Sequence, residues 1–132
     1  MHSKPQMTRT ILIVDDDELV RETIRFLLGQ AGYRCHTVRG GDDALELLNS
    51  GEKIDLVTTD ITNAPMDGVT LLERLENNFP NIPVLVITAR QDRALEWHNK
   101  TARDYVLKPF GCDQLLEAVH SSLKPRRPAL ST

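Results

Sequence analysis

The sequence predicts a doubly wound α/β fold, a three-layer sandwich with helices on both faces of a five-stranded parallel sheet. Two observations carry this reading. Short runs of branched apolar residues recur along the chain and read as strands buried on both faces. Segments with helical apolar spacing alternate with them, and strands that alternate with helices pair in parallel through right-handed crossovers.

The elements follow in order. Residues 1–9 are polar and irregular, a disordered or extended N-terminus, and Thr10 then opens Ile11-Leu12-Ile13-Val14. The acids after that run end the first strand. Leu19, Val20, Thr23, Ile24, Leu27 and Leu28 form one stripe of a first helix that Gly29 or Gly32 would stop. Asp17, just before it, is placed to cap its N-terminus. Tyr33 to Val38 is a weaker strand, and Ala44, Leu45, Leu47 and Leu48 mark a second helix behind Asp42 and Asp43. That acidic pair suits the positive end of a helix dipole. Asp55 to Thr59 is the third strand, and Val69, Leu72, Leu75 and Phe79 outline a third helix ended by Pro80. Val84-Leu85-Val86-Ile87 is the strongest strand signal. The stretch from Gln91 to Lys100 offers only Ala94, Leu95 and Trp97 to bury, so its helix is the poorest of the set. Asp104 to Leu107 gives the fifth strand. Leu115, Leu116, Val119 and Leu123 give the last helix, ended by Pro125. Residues 125–132 carry helix breakers and basic residues without apolar spacing, and read as a tail or linker stump.

Composition bounds the function. The chain has 132 residues, 40% of them hydrophobic and 27% charged, which allows one domain with a core built mainly of Leu, Ile, Val and Ala. Sixteen basic against nineteen acidic residues leave a net charge of -3, which argues against nucleic-acid binding by an overall positive field. No apolar run approaches the roughly 20 residues that span a bilayer, and no apolar leader opens the chain, so a cytoplasmic protein without membrane contact is expected. Cys35 and Cys112 have no Cys-x-x-Cys spacing and read as ordinary small apolar residues. His2, His36, His98 and His120 show no ligand spacing.

In open α/β sheets, ligands bind beyond the carboxyl ends of the strands. Asp15, Asp16 and Asp17 follow the first strand there, Asp60 the third, Thr88 ends the fourth, and Lys108 follows the fifth. Each alone has an ordinary explanation, as a cap or a solvated end. Together they aim carboxylates, a hydroxyl and an ammonium at one edge. Acids crowded in a crevice repel and resist ionisation unless a cation is present. Mg²⁺ answers that cost, since it takes one or two carboxylates, several waters and phosphate oxygens. Lys108 and Thr88 suit the oxygens of a phosphoryl group in transfer, and Asp60 suits a nucleophile forming an acyl phosphate.

With those residues on the page, the chain resembles the receiver domain of two-component response regulators, the chemotaxis-regulator-like family. The matching pieces are Ile11-Leu12-Ile13-Val14-Asp15-Asp16-Asp17, Asp60 with Met66-Asp67-Gly68, Val84-Leu85-Val86-Ile87-Thr88-Ala89 and Tyr105-Val106-Leu107-Lys108-Pro109-Phe110. They cover nearly all of a domain spanning 10–124. The resemblance implies a flavodoxin-like topology with strand order 2-1-3-4-5. It implies that Asp60 accepts a phosphoryl group from the phosphohistidine of a sensor histidine kinase or phosphotransfer protein. It further implies that Asp15, Asp16, Asp60 and the Thr62 carbonyl hold Mg²⁺, that Thr88 and Lys108 contact the phosphoryl group, and that Tyr105 is a switch following Thr88. The Lys108–Pro109 bond is commonly cis in the family. No separate turnover substrate is expected, and the signal would leave through a downstream protein or an output domain, from a monomer or weak homodimer.

The chain departs from the family pattern at two places. Asn63-Ala64 stand where the family has Met-Pro, with Pro65 one place late. The segment between Thr88 and Lys108 is shorter than usual, and Thr101-Ala102-Arg103-Asp104 replaces a Gly-Ala-containing turn, which predicts a short or irregular fourth helix. These departures support an alternative, a receiver-like interaction module that works without phosphorylation. An aspartyl-phosphate hydrolase would carry a second Asp where Thr62 stands. An FMN site is disfavoured because the turn after the first strand is acidic.

Overall fold

A computed structural model describes residues 8–61 and 68–124. Its sheet has five parallel strands in the order β2-β1-β3-β4-β5. These are β1 (Thr10–Val14), β2 (Arg34–Val38), β3 (Leu56–Thr59), β4 (Val84–Thr88) and β5 (Tyr105–Leu107). The helices are α1 (Glu18–Gln30), α2 (Gly41–Asn49), α3 (Gly68–Asn78), α4 (Gln91–Thr101) and α5 (Cys112–Leu123). Strand order doubles back at β1, and the carboxyl ends of β1 and β3 lie side by side, with Val14 level with Thr59.

The strand period of two divides the core. In β1, Leu12 and Val14 join Ala44, Leu48, Val57, Leu72, Leu75 and Trp97 on one face. Ile11 and Ile13 join Ile24, Leu28, Leu85, Ile87, Leu115 and Val119 on the other. The four apolar β1 side chains are at most 1% exposed, so truncating Ile11, Leu12 or Ile13 to Ala removes about 2 to 5 kcal/mol of folding stability.

Helix ends follow local chemistry. The Asp17 carboxylate accepts from the Leu19 and Val20 amides, at 2.9 and 3.3 Å, as an N-cap does. Helix α1 runs through Gly29, and the turn is made at Gly32, whose φ of 97° is open to glycine at little cost. Asp42 and Asp43 lie in the first turn of α2.

Three expectations need correction. The fourth helix is neither short nor irregular: α4 is continuous over 11 residues, as long as α3. The missing length is taken up after it, where Ala102 turns the chain at once with φ 60°, a left-handed conformation normally left to glycine. Leu95 is 41% exposed, because Ala94 and Trp97 alone occupy the inner side of α4. Leu19 is 77% exposed, because the buried stripe of α1 runs through Ile24 and Leu28, and Leu19 sits on the outer side with Phe26. Pro125 and the rest of the tail lie outside the described residues.

Candidate functional site

The carboxyl edge of the sheet brings the sequence-predicted residues together. Asp15 follows β1 and Asp60 follows β3, so their carboxylates issue from neighbouring strand ends. Lys108 follows β5, and its backbone N–H donates to the Thr88 carbonyl at 2.9 Å, which extends the sheet pairing by one residue and sets the direction of its side chain. From there the long stem carries Nζ over β4 to both acids. Lys108 Nζ donates to Asp15 Oδ2 at 2.8 Å and to Asp60 Oδ2 at 2.7 Å.

Asp15 is 2% exposed and Asp60 7%. Burial pushes the Asp15 carboxyl above its ordinary value of 3.8, and the Asp60 charge adds to that. The Lys108 ammonium and the Asp17 amide oppose it without cancelling it. Lys108 moves above its ordinary 10.5: burial alone would lower it, and the bonds to Asp15 and Asp60 outweigh burial. One ammonium thus bonds to two buried carboxylates.

The Asp15 backbone and side chain are held from several directions. Its N–H donates to the Val38 carbonyl at 3.2 Å, its Oδ1 accepts from the Asp17 amide at 2.9 Å, and its carbonyl accepts from Arg21 Nη1 at 2.8 Å. Arg21 was not singled out from the sequence. Its spacing from Asp15 on the first turn of an amphipathic helix is the signal that could have pointed to it. Asp16 is exposed beside this pair. Thr88 is fully buried at the end of β4, and its hydroxyl accepts from the Arg90 amide at 3.1 Å. Tyr105 opens the edge strand β5 and is half-buried against the core cluster that includes Ala44, Leu72 and Trp97. Its ring meets that of His98, a residue without ligand spacing in the sequence, in a T-shaped arrangement with centroids 5.8 Å apart and planes at 68°. The Lys108–Pro109 bond is cis. Thr62, the remaining expected ligand, and the Asn63-Ala64-Pro65 departure lie outside the described residues.

A divalent ion needs oxygen donors here, and the donors are of that kind. Among the described residues no group of three or more His, Cys, Asp or Glu side chains is arranged to hold a metal. Mg²⁺ does not require one, because one or two carboxylates with waters and phosphate oxygens suffice. The two buried carboxylates fit that demand.

A doubly wound parallel sheet with paired acids, a hydroxyl and a lysine at its carboxyl edge defines a class of signalling domain. The match is direct: the family model for the response regulator receiver domain covers residues 11–120, and the chain belongs to that family. Its relatives are larger. The DNA-binding transcriptional regulator NtrC of Escherichia coli (strain K12) is 33% identical over 115 residues, which is 86% of this chain and 24% of NtrC. Response regulator MprA of Mycolicibacterium vanbaalenii is 33% identical over 120 residues, 89% of this chain and 52% of MprA. The chain therefore spans a quarter to a half of the length of these curated relatives. Among solved structures, a putative response regulator from Chloroflexus aurantiacus J-10-fl superposes with a TM-score of 0.81 at 29% identity, covering 89% of this chain and 98% of that one. The signal receiver domain of an HD domain-containing protein from Pseudomonas fluorescens Pf-5 gives 0.81 at 30% identity, with coverage of 92% and 91%.

Proposed function

We propose that this chain is a phosphorylatable receiver in which Asp60 takes a phosphoryl group from the phosphohistidine of a sensor histidine kinase or phosphotransfer protein. The observation that carries this reading is Lys108 Nζ held between Asp15 and Asp60 at 2.8 and 2.7 Å. An Asp60 carboxylate oxygen attacks phosphorus, the O–P bond forms as the N–P bond breaks, and the imidazole nitrogen leaves with the bonding electrons. Lys108 turns from the Asp60 carboxylate to a phosphoryl oxygen, keeping the new charge paired. The Thr88 hydroxyl, which accepts from the Arg90 amide, has its own proton to donate to another. Asp15 and Asp16, with Asp60 and the Thr62 carbonyl, would hold Mg²⁺, which when bound neutralises charge on the phosphoryl oxygens.

The same reading assigns Tyr105 as the side chain whose position follows Thr88, and takes residues 10–124 as the receiver unit. The signal leaves through a partner or output domain that senses the Tyr105 face. No helix among the described residues is long and apolar enough to cross a membrane, and we place the chain in the cytoplasm. It acts as a monomer or weak homodimer with no nucleic-acid contact of its own. The finding that α4 is a regular helix removes one support for a phosphorylation-independent module.

Incubation with acetyl phosphate and Mg²⁺, read by intact-protein mass spectrometry, tests the proposal. The expected result is one phosphoryl adduct that Asp60→Asn abolishes. No adduct, or the same adduct on Asp60→Asn, overturns it. Partner binding that is indifferent to Asp60→Asn would instead point to the interaction module.

A further inference from the structure

His98 is not idle. A backbone carbonyl can only accept, so the 2.8 Å contact between His98 Nδ1 and the Arg103 carbonyl fixes the proton on Nδ1. That bond clamps the imidazole across the junction of α4 and β5. The junction is only three residues, Ala102 to Asp104, and it is tied from within. The Thr101 hydroxyl donates to the Trp97 carbonyl at 2.7 Å and accepts from the Arg103 amide at 3.1 Å. Arg103 is also bridged to Glu76 of α3 at 3.6 Å. The imidazole therefore has little freedom to move independently. Its fixed orientation presents the ring edge-to-face to Tyr105, with centroids 5.8 Å apart.

We infer that His98 is a positioning residue for Tyr105, its clamped imidazole holding the tyrosine ring in the arrangement of the phosphoryl-free site. This deepens the receiver reading, on which it rests for the role of Tyr105. In that free site Lys108 bonds directly to both carboxylates. Any arrangement that turns the Tyr105 ring away from His98 gives up that ring contact. Loss of the imidazole therefore shifts the population toward the phosphoryl-bound arrangement, and raises the apparent affinity for a phosphoryl mimic by the strength of that contact.

The chain has only two tyrosines, Tyr33 and Tyr105, so ring-¹³C tyrosine labelling yields two signals, one of them an internal control. NMR titration with beryllofluoride and Mg²⁺ compares the 132-residue chain with His98→Ala. In His98→Ala, the ligand-free Tyr105 signal is expected to move toward its ligand-bound position while Tyr33 stays. The half-saturating beryllofluoride concentration is expected to fall about two- to tenfold, the range for an edge-to-face ring pair. His98→Phe, which keeps a ring but lacks the Nδ1 donor, restores part of the difference. In a Tyr105→Ala background, His98→Ala leaves the half-saturating concentration unchanged. The inference is overturned if the Tyr105 signal and the affinity of His98→Ala match those of the parent, or if the same affinity change persists without Tyr105. A parent chain that ignores beryllofluoride sinks the receiver reading instead, and the ligand-free Tyr105 position still decides the role of His98.

Discussion

Replacing Asp15 by Asn should make the metal-free domain more stable. Asp15 is 2% exposed, and the Lys108 ammonium it bonds to also bonds to Asp60, so its carboxylate is buried beside another. Removing a cation's only partner strands a charge; here Lys108 keeps its 2.7 Å bond to Asp60. The Asn carbonyl can keep the 2.9 Å bond from the Asp17 amide. The loss is one charge-assisted bond from Lys108, about 1.5 to 3 kcal/mol. The gain is relief from burying a carboxylate beside another, and the upward displacement of the Asp15 carboxyl shows which side wins: the charged form is worse off folded than unfolded. Against the roughly 1 to 4 kcal/mol gained when a whole buried ion pair is replaced by well-packed hydrophobic residues, the net relief is put toward the low end, at about 1 to 2 kcal/mol. For a domain of this size that is an increase of about 4 to 8 °C in Tm.

The same upward displacement makes the effect depend on pH. A carboxyl raised in the folded state causes no penalty below its unfolded value of 3.8, where it is protonated in both states. The penalty develops as pH rises through the raised folded value. Thermal melts followed by circular dichroism in chelator should therefore show the two proteins converging in acid and separating toward neutral pH. Adding Mg²⁺ should raise the parent more than Asp15→Asn and narrow the gap. A lower Tm for Asp15→Asn at neutral pH, or a gap that persists unchanged at pH 3, refutes the reasoning.

Lys108→Met strands Asp15 and Asp60 without their cation and should cost about 3 to 5 kcal/mol in chelator, with Mg²⁺ restoring part in melts at neutral pH. Lys108 is raised above 10.5, so its contribution is complete below that pH and is lost as pH rises through the folded value. The parent, not Lys108→Met, should show the steeper alkaline fall. Ala102→Gly relieves a left-handed φ of 60° and should add about 1 kcal/mol, measured by urea unfolding with an unchanged m-value. Phe26→Asp, at a 63% exposed ring on the outer side of α1, should leave acetyl phosphate labelling intact and slow transfer from a phosphohistidine donor, measured by rapid-quench kinetics. Equal rates for parent and variant would show that this face of α1 makes no contact with the donor.

How much of this was legible in the sequence depended on the range of the forces involved. Ile11-Leu12-Ile13-Val14 and Val84-Leu85-Val86-Ile87 could be placed because four branched apolar residues in a row have few stable fates other than a strand buried on both faces. Asp17 could be assigned as a cap because capping acts within one turn. The fourth helix was misjudged because a count of apolar residues missed how much Ala94 and Trp97 alone could anchor. Leu19 was misjudged because at the start of a helix two adjacent apolar residues fit the stripe about equally well, and only packing against the sheet selects Val20. His98 was passed over because its two contacts depend on how the chain turns after Thr101.

The sequence by itself determined the alternation of strand and helix, the single core divided between two faces, and the set of polar residues that follow the strands. Those features come from periodicity and from what immediately follows each apolar run. Only the tertiary structure decided that Lys108 lies between Asp15 and Asp60, 93 and 48 positions away, and that two buried carboxylates share one ammonium. It also decided that a short junction clamps His98 against Tyr105. Charge balance and ring contact fall off over a few ångströms, and residues distant in sequence come that close only when the sheet has set its strand order.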